Sequence, residues 1–252
     1  MPPYALRISG LHKVFGRQTA VDRLDLEVPA GSFFGFVGPN GAGKTTTLSM
    51  AVGLLRPDGG TATIFGHDVW REPAEAKRLL GVLPDGVALP ERLTGREMLT
   101  YLGLLRGLDR RVVAERADEL LTLLELDGAD GTLVADYSTG MRKKVALAAA
   151  LLHAPRLVVL DEPLEAVDPI SAATVKTILR RFVEGGGTVV FSSHVMAVVE
   201  QLCDHVAVIG SGRALATGPV SEVTAGISLE DRFVSLVGAP EAASKGLAWL
   251  AS

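Results

Sequence analysis

The chain has 252 residues, with 48% apolar and 21% charged side chains, which is long enough to bury a core and excludes a disordered chain. Its net charge of −4 excludes the strong basic field that would recruit nucleic acid or an anionic membrane by electrostatics alone. One cysteine, Cys203, excludes an internal disulfide framework.

Met1 to Leu11 holds two early prolines and no long apolar run, so no secretory leader is expected and the chain is placed in the cytosol. Alternation over Ala5 to Ile8 and Leu24 to Val28 predicts strands, and a Pro29-Ala30-Gly31 turn leads into a third, Phe33 to Val37. Three glycines in Gly38 to Gly43 then break the pattern. A helix is predicted from Lys44 to about Leu55, closed by Arg56-Pro57-Asp58-Gly59-Gly60, and a short strand from Thr61 to Phe65.

The middle third is helical by spacing. Met98, Tyr101, Leu102 and Leu105, then Val113, Ala117, Leu120, Leu121 and Leu124, recur at helical intervals, and Thr94 with Glu97 forms a capping box. A further helix is predicted from Ser138 to His153. It contains the longest unbroken apolar run, Val145 to Leu152, whose eight residues fall far short of the roughly 20 a membrane span needs. The mean hydropathy of +0.30 therefore belongs to a core or to a partner's surface. Strands return at Leu157 to Leu160, Thr188 to Ser192 and Val206 to Ile209, separated by helices at Ile170 to Glu184 and Val195 to Cys203. Short Val/Leu-rich strands alternating with helices predict an α/β fold around a largely parallel sheet, with further strands before it and a helical insert.

Gly38-Pro39-Asn40-Gly41-Ala42-Gly43-Lys44-Thr45, with Thr46 behind it, follows a predicted strand and opens a predicted helix. Glycines let successive backbone N–H groups face phosphate oxygens, and the helix N-terminus adds partial positive charge. Lys44 is expected on the β- and γ-phosphates, and the Thr45 hydroxyl on magnesium. The apolar strand Leu157 to Leu160 ends in Asp161 and Glu162, one carboxylate for the metal shell and one for polarising an attacking water. His194, just beyond the strand Thr188 to Ser192, is a candidate contact to the γ-phosphate or the water.

In this order the motifs resemble the nucleotide-binding domain of ABC transporters over nearly the whole chain: a P-loop NTPase core with N-terminal antiparallel strands, residues 1–85 and 155–227, with an α-helical insert at about 86–154 and a short extension, 228–252. The resemblance implies that Phe15 stacks on adenine and that Gly38 to Thr46 is the Walker A loop. It makes Tyr137-Ser138-Thr139-Gly140-Met141 a signature motif, Asp168 a D-loop aspartate, Asp161 and Glu162 the Walker B pair, and His194 the switch histidine. It further implies ATP and Mg2+ as ligands, and a second such domain docked head to tail, a homodimer by default. Signature residues Ser138, Thr139, Gly140 and Met141 then act on the partner's ATP. Separate transmembrane permease subunits are driven through the insert from the inner face of the membrane. No nucleic acid is expected. The ending, Ser228 to Phe233 and on to Val237-Gly238, resembles the tail of ATPase subunits serving ABC-2-type exporters.

Three departures stand out. Asp85 occupies the place of a family glutamine that touches magnesium, and brings a negative charge near the γ-phosphate. Thr139 and Met141 replace the usual glycine and glutamine, and Leu164-Glu165-Ala166 replaces a small polar run. These leave a second reading open: an ATP-dependent binding or regulatory module with little hydrolysis.

Overall fold

The computed structural model describes residues 3–86 and 88–237. Two 12-residue strands, β1 (Tyr4–Phe15) and β2 (Gln18–Pro29), pair antiparallel, and the hairpin closes where Phe15 faces Gln18. The five residues of β3 (Phe33–Val37) are all buried, and α1 (Lys44–Ala51) follows the glycine loop. Next along the chain are β4 (Gly59–Ile64), β5 (His67–Asp68), α2 (Pro73–Arg78) and β6 (Leu80–Leu83). Three α-helices come next: α3 (Gly95–Leu105), α4 (Arg110–Leu123) and α5 (Thr139–Leu151). The remaining α/β units are β7 (Leu157–Leu160), α6 (Pro169–Glu184), β8 (Thr188–Ser193), α7 (Met196–Leu202) and β9 (His205–Gly210). The described chain ends with β10 (Arg213–Pro219), α8 (Val220–Thr224) and α9 (Leu229–Val237).

The strands make two sheets. One is antiparallel in the order β2-β1-β4-β5; the other runs β10-β9-β3-β8-β7-β6, parallel except for β10. Side chains alternate across the second sheet, as strand geometry requires. Phe33, Val158, Leu160, Val189, Phe191 and Val208 pack towards the helices, whereas Phe34, Phe36, Val159, Val190 and Ile209 pack towards α1 and the antiparallel sheet. Both faces are covered, which explains why these strands read as continuous apolar runs.

The capping box forms as the sequence predicts: Glu97 N–H donates to Thr94 Oγ1, and Thr94 N–H donates to Glu97 Oε2 at 2.9 Å. The first helix ends at Ala51, not Leu55. Leu54 and Leu55 both donate their N–H groups to Ser49 O in a closing turn. Gly59 and Gly60, read as a stop signal, begin β4 instead, because Gly60 passes against the backbone of Gly10 where no Cβ would fit.

Tyr101 and Leu105, assigned by spacing to an apolar helix face, are exposed, Leu105 by 67%; the buried face of α3 is Gly95, Met98, Leu99 and Gly103. The physical reason is close approach. A Cβ at Gly103 would stand 2.6 Å from Val113 Cγ2, so the glycine edge presses on α4 and turns Tyr101 and Leu105 outwards. Residues 238–252, including Gly238 of the tail, lie outside the described residues.

Candidate active site

Parallel strands deliver their C-terminal ends to one edge of the sheet, where α/β folds bind ligands. Here β3 leads into Gly38, β6 into Pro84 and Asp85, β7 into Asp161 and Glu162, and β8 into His194. Residues far apart in sequence therefore meet around one cavity of about 540 Å³. It is lined by Phe15, Gln18, Ala20, Pro39, Asn40, Gly41, Gly43 to Thr46, Asp85, Glu162, Glu165 and His194. The volume falls within the few hundred to roughly 1,000 Å³ of small-molecule sites.

The glycine loop is built as a phosphate cradle. Gly43 adopts φ 98° at the N-cap of α1, and a Cβ there would lie 2.3 Å from the Ala20 carbonyl oxygen. Only glycine fits, and the turn leaves the first N–H groups of α1 pointing out of the helix end, where anions bind. Thr47 Oγ1 donates to Gly43 O at 2.8 Å and fixes the first turn. Lys44 is 7% exposed; its Nζ donates to Gly38 O at 2.8 Å and to Pro39 O at 3.4 Å, and lies 3.9 Å from Glu162 Oε1. The cradle's cation thus stands between the loop and the acid.

Glu162 follows β7 with φ 47°, a left-handed conformation that costs a non-glycine residue about 1–2 kcal/mol. Strain of that kind persists where surrounding bonds over-determine it. Glu162 N–H donates to Ser192 Oγ at 2.8 Å, and Lys143 Nζ donates to Glu162 O at 2.7 Å. The Glu162 carboxylate is 14% exposed and lies 3.0 Å from His194 Nδ1. Asp161 is buried, and its Oδ1 accepts from Ser192 Oγ at 2.5 Å.

Ser192 therefore serves both acidic residues with one hydroxyl. Sequence reasoning passed over it, although a polar residue inside an apolar strand two places before His194 was the available signal. Gln18, Ala20, Glu165 and Lys143 were also missed as site residues; Gln18 and Ala20 carry no motif, Glu165 stands out only within the departing run Leu164-Glu165-Ala166, and Lys143 meets Glu162 only through the tertiary fold.

Phe15 stands half-exposed at the cavity rim, with Lys13 Nζ 5.6 Å from its ring centroid, a cation–π distance. Asp85 lines the same cavity. The signature residues are elsewhere. Ser138 is the N-cap of α5 and accepts from Met141 N–H at 3.2 Å. Ser138 and Thr139 are exposed, Gly140 and Met141 half-buried, and none of the four lines the phosphate cavity. Asp168 is likewise outside it, capping α6 through the N–H groups of Ile170 and Ser171. Hydrogen bonds from Ser171, its hydroxyl first, hold the Asp168 carboxyl below the usual carboxylate range.

Among the described residues no three His, Cys, Asp or Glu side chains cluster as a metal cage. Magnesium in nucleotide sites needs none, since it takes one or two carboxylates, water and substrate phosphates. The Thr45 hydroxyl and the Asp161 and Asp85 carboxylates are hard oxygen donors at or beside the cradle, and fit that ion.

The ABC transporter family profile matches residues 21–165. Over 222 residues the chain is 44% identical to the daunorubicin/doxorubicin resistance ATP-binding protein DrrA of Streptomyces peucetius, covering 88% of this chain and 67% of that one. It is 35% identical over 215 residues to the bacitracin transport ATP-binding protein BcrA of Bacillus licheniformis, covering 85% and 69%. A solved structure of an ATP binding subunit of an ABC transporter superposes with a TM-score of 0.86 at 27% identity, covering 92% of this chain and 99% of that one.

Proposed function

The chain belongs to the ABC transporter family, and on that premise we propose that it is the ATP-binding and ATP-hydrolysing subunit of an exporter. One observation carries the reading: the phosphate cradle and the Glu162–His194 pair open onto the same cavity. ATP phosphates sit on the loop N–H groups and Lys44, with adenine against Phe15. Glu162 takes a proton from the water whose oxygen attacks the γ-phosphorus, while the bond to the β–γ bridging oxygen breaks and ADP leaves. His194 holds the Glu162 carboxylate and reaches the transferring phosphoryl group. Thr45 and Asp161, with Asp85 beside them, would hold magnesium, which would supply neutralisation of phosphate charge.

The signature residues Ser138, Thr139, Gly140 and Met141 act on a second subunit's ATP. The exposure of Ser138 and Thr139 and the separation of all four from the chain's own cavity support this. A C2 pair of this chain is the proposed working unit, with Asp168 near its seam. The insert, about residues 86–154, meets the permease. A groove of about 320 Å³ between Pro84, Leu89, Leu102 and Ala149, with the exposed Tyr101 and Leu105 on α3, supports that contact. Among the described residues no helix is long and apolar enough to cross a membrane; the place on the inner face rests on the proposed contact with the permease. Relatives named for daunorubicin/doxorubicin resistance and bacitracin transport support export.

Phosphate release by purified protein with Mg-ATP tests the reading. Glu162→Gln is expected to abolish turnover and to accumulate an ATP-bound dimer on size exclusion. Asp85 on the cavity wall favours one rival, a binding module with little hydrolysis. Stable ATP-dependent dimerisation of the wild type without phosphate release establishes that rival.

A further inference from the structure

Helix α5 starts at the signature residues and runs past the site, and its fifth residue is Lys143. The Lys143 side chain is largely buried, and its ammonium is not spent on solvent. Nζ donates to the Glu162 carbonyl oxygen at 2.7 Å and lies 3.7 Å from Glu165 Oε2. The peptide it grips is the strained one. Glu162 sits at φ 47°, and its carbonyl also accepts Glu165 N–H at 3.2 Å, while its own N–H is held by Ser192. Backbone held on both sides aims the Glu162 carboxylate at His194 and Lys44.

We propose that Lys143 is a positioning residue for hydrolysis, fixing the backbone of Glu162 from the signature helix of the same subunit. The assignment rests on the ATPase reading above. Its consequence is a direct mechanical tie: a displacement of α5 with the insert pulls on the carbonyl of the residue that takes the proton. The chain's own signature helix then acts on its own ATP, while Ser138 and Gly140 at its start act on the partner's. Loss of the tie leaves the phosphate cradle intact, since among the described residues Lys143 makes its hydrogen bond and ion pair with Glu162 and Glu165 and does not line the phosphate cavity.

Lys143→Met keeps the length and removes the donor. The expected result is a fall in kcat of about tenfold to a hundredfold, the scale set by small misplacements of a reacting group. KM for ATP and the affinity for a fluorescent ATP analogue stay within about twofold, because binding resides in the cradle. Lys143→Arg restores a donor of similar reach and recovers most of the rate; a merely structural lysine shows no such split or rescue. Lys143→Gln is polar but too short for the carbonyl, and provides the same kcat test if the Met variant does not fold. Wild-type kcat in the Met or Gln variant overturns the proposal, as does a parallel loss of nucleotide affinity without rescue by Arg. Absence of turnover in the wild type overturns the ATPase reading, and this proposal with it.

Discussion

His194 Nδ1 lies 3.0 Å from Glu162 Oε2, although 32 residues and the whole of α6 separate them in the chain. The contact exists because β7 and β8 are parallel neighbours, with Leu160 registered on Phe191, so their following loops open side by side. His194→Ala removes the hydrogen-bond partner of the Glu162 carboxylate and leaves it only the more distant Lys44. Phosphate release is expected to fall by about a hundredfold or more, the usual scale for a general acid–base or orienting group. Nucleotide affinity, governed by the cradle, should change little. A variant with wild-type turnover sinks the assigned role.

Ser192 donates to Asp161 Oδ1 and accepts from Glu162 N–H, and it is fully buried. Ser192→Ala strands both groups. A buried polar group left unpaired costs about 1–3 kcal/mol, so a lower Tm is expected along with a lower kcat. Ser192→Thr retains the hydroxyl and should recover both. Thermal melts and phosphate release on the two variants read this directly; equal behaviour of Ala and Thr removes Ser192 from the site.

Asp85 places a carboxylate on the cavity wall beside the phosphate loop. Like charge near the γ-phosphate opposes nucleotide binding and the build-up of charge as the bond breaks. Asp85→Gln keeps an oxygen ligand and removes the charge, so basal ATPase is expected to rise. An equal or slower rate shows that Asp85 does not restrain turnover.

The legibility of the site follows from how local each signal is. Gly38 to Thr45 and the run Leu157 to Glu162 carry their chemistry in adjacent residues, and β7 forms over Leu157–Leu160 as predicted. The strand β6 was not predicted, since four residues bounded by Leu79 and Pro84 show no period; its identity comes from pairing with β7. Spacing located α3, but which face is buried depends on where Gly95 and Gly103 admit neighbours, a property of packing. Lys143 shows the same limit. The sequence displays Arg142-Lys143-Lys144 as three similar cations, and the fold sends them to different carboxylates: Arg142 to Glu91, Lys143 to Glu165 and the Glu162 carbonyl, Lys144 to Glu125.

His153, just beyond α5, contributes a pH dependence of stability. Burial, and then the Arg106 guanidinium 3.1 Å from its Nε2, push its pKa from the ordinary 6.5 down to about 4, against a smaller opposing pull from the Leu80 carbonyl at 3.0 Å. The folded state therefore binds fewer protons than the unfolded chain between these values. The stabilisation is fully present above pH 6.5 and declines as pH falls towards 4. At this half-buried position, with solvent screening allowed for, the loss amounts to about 2 kcal/mol. His153→Asn removes the titration and leaves the carboxylates unchanged. Between pH 7.5 and 5 the wild type should lose more in its urea midpoint than the variant does, with the m-value constant. Parallel pH slopes for the two proteins contradict a neutral, half-buried His153 as the source.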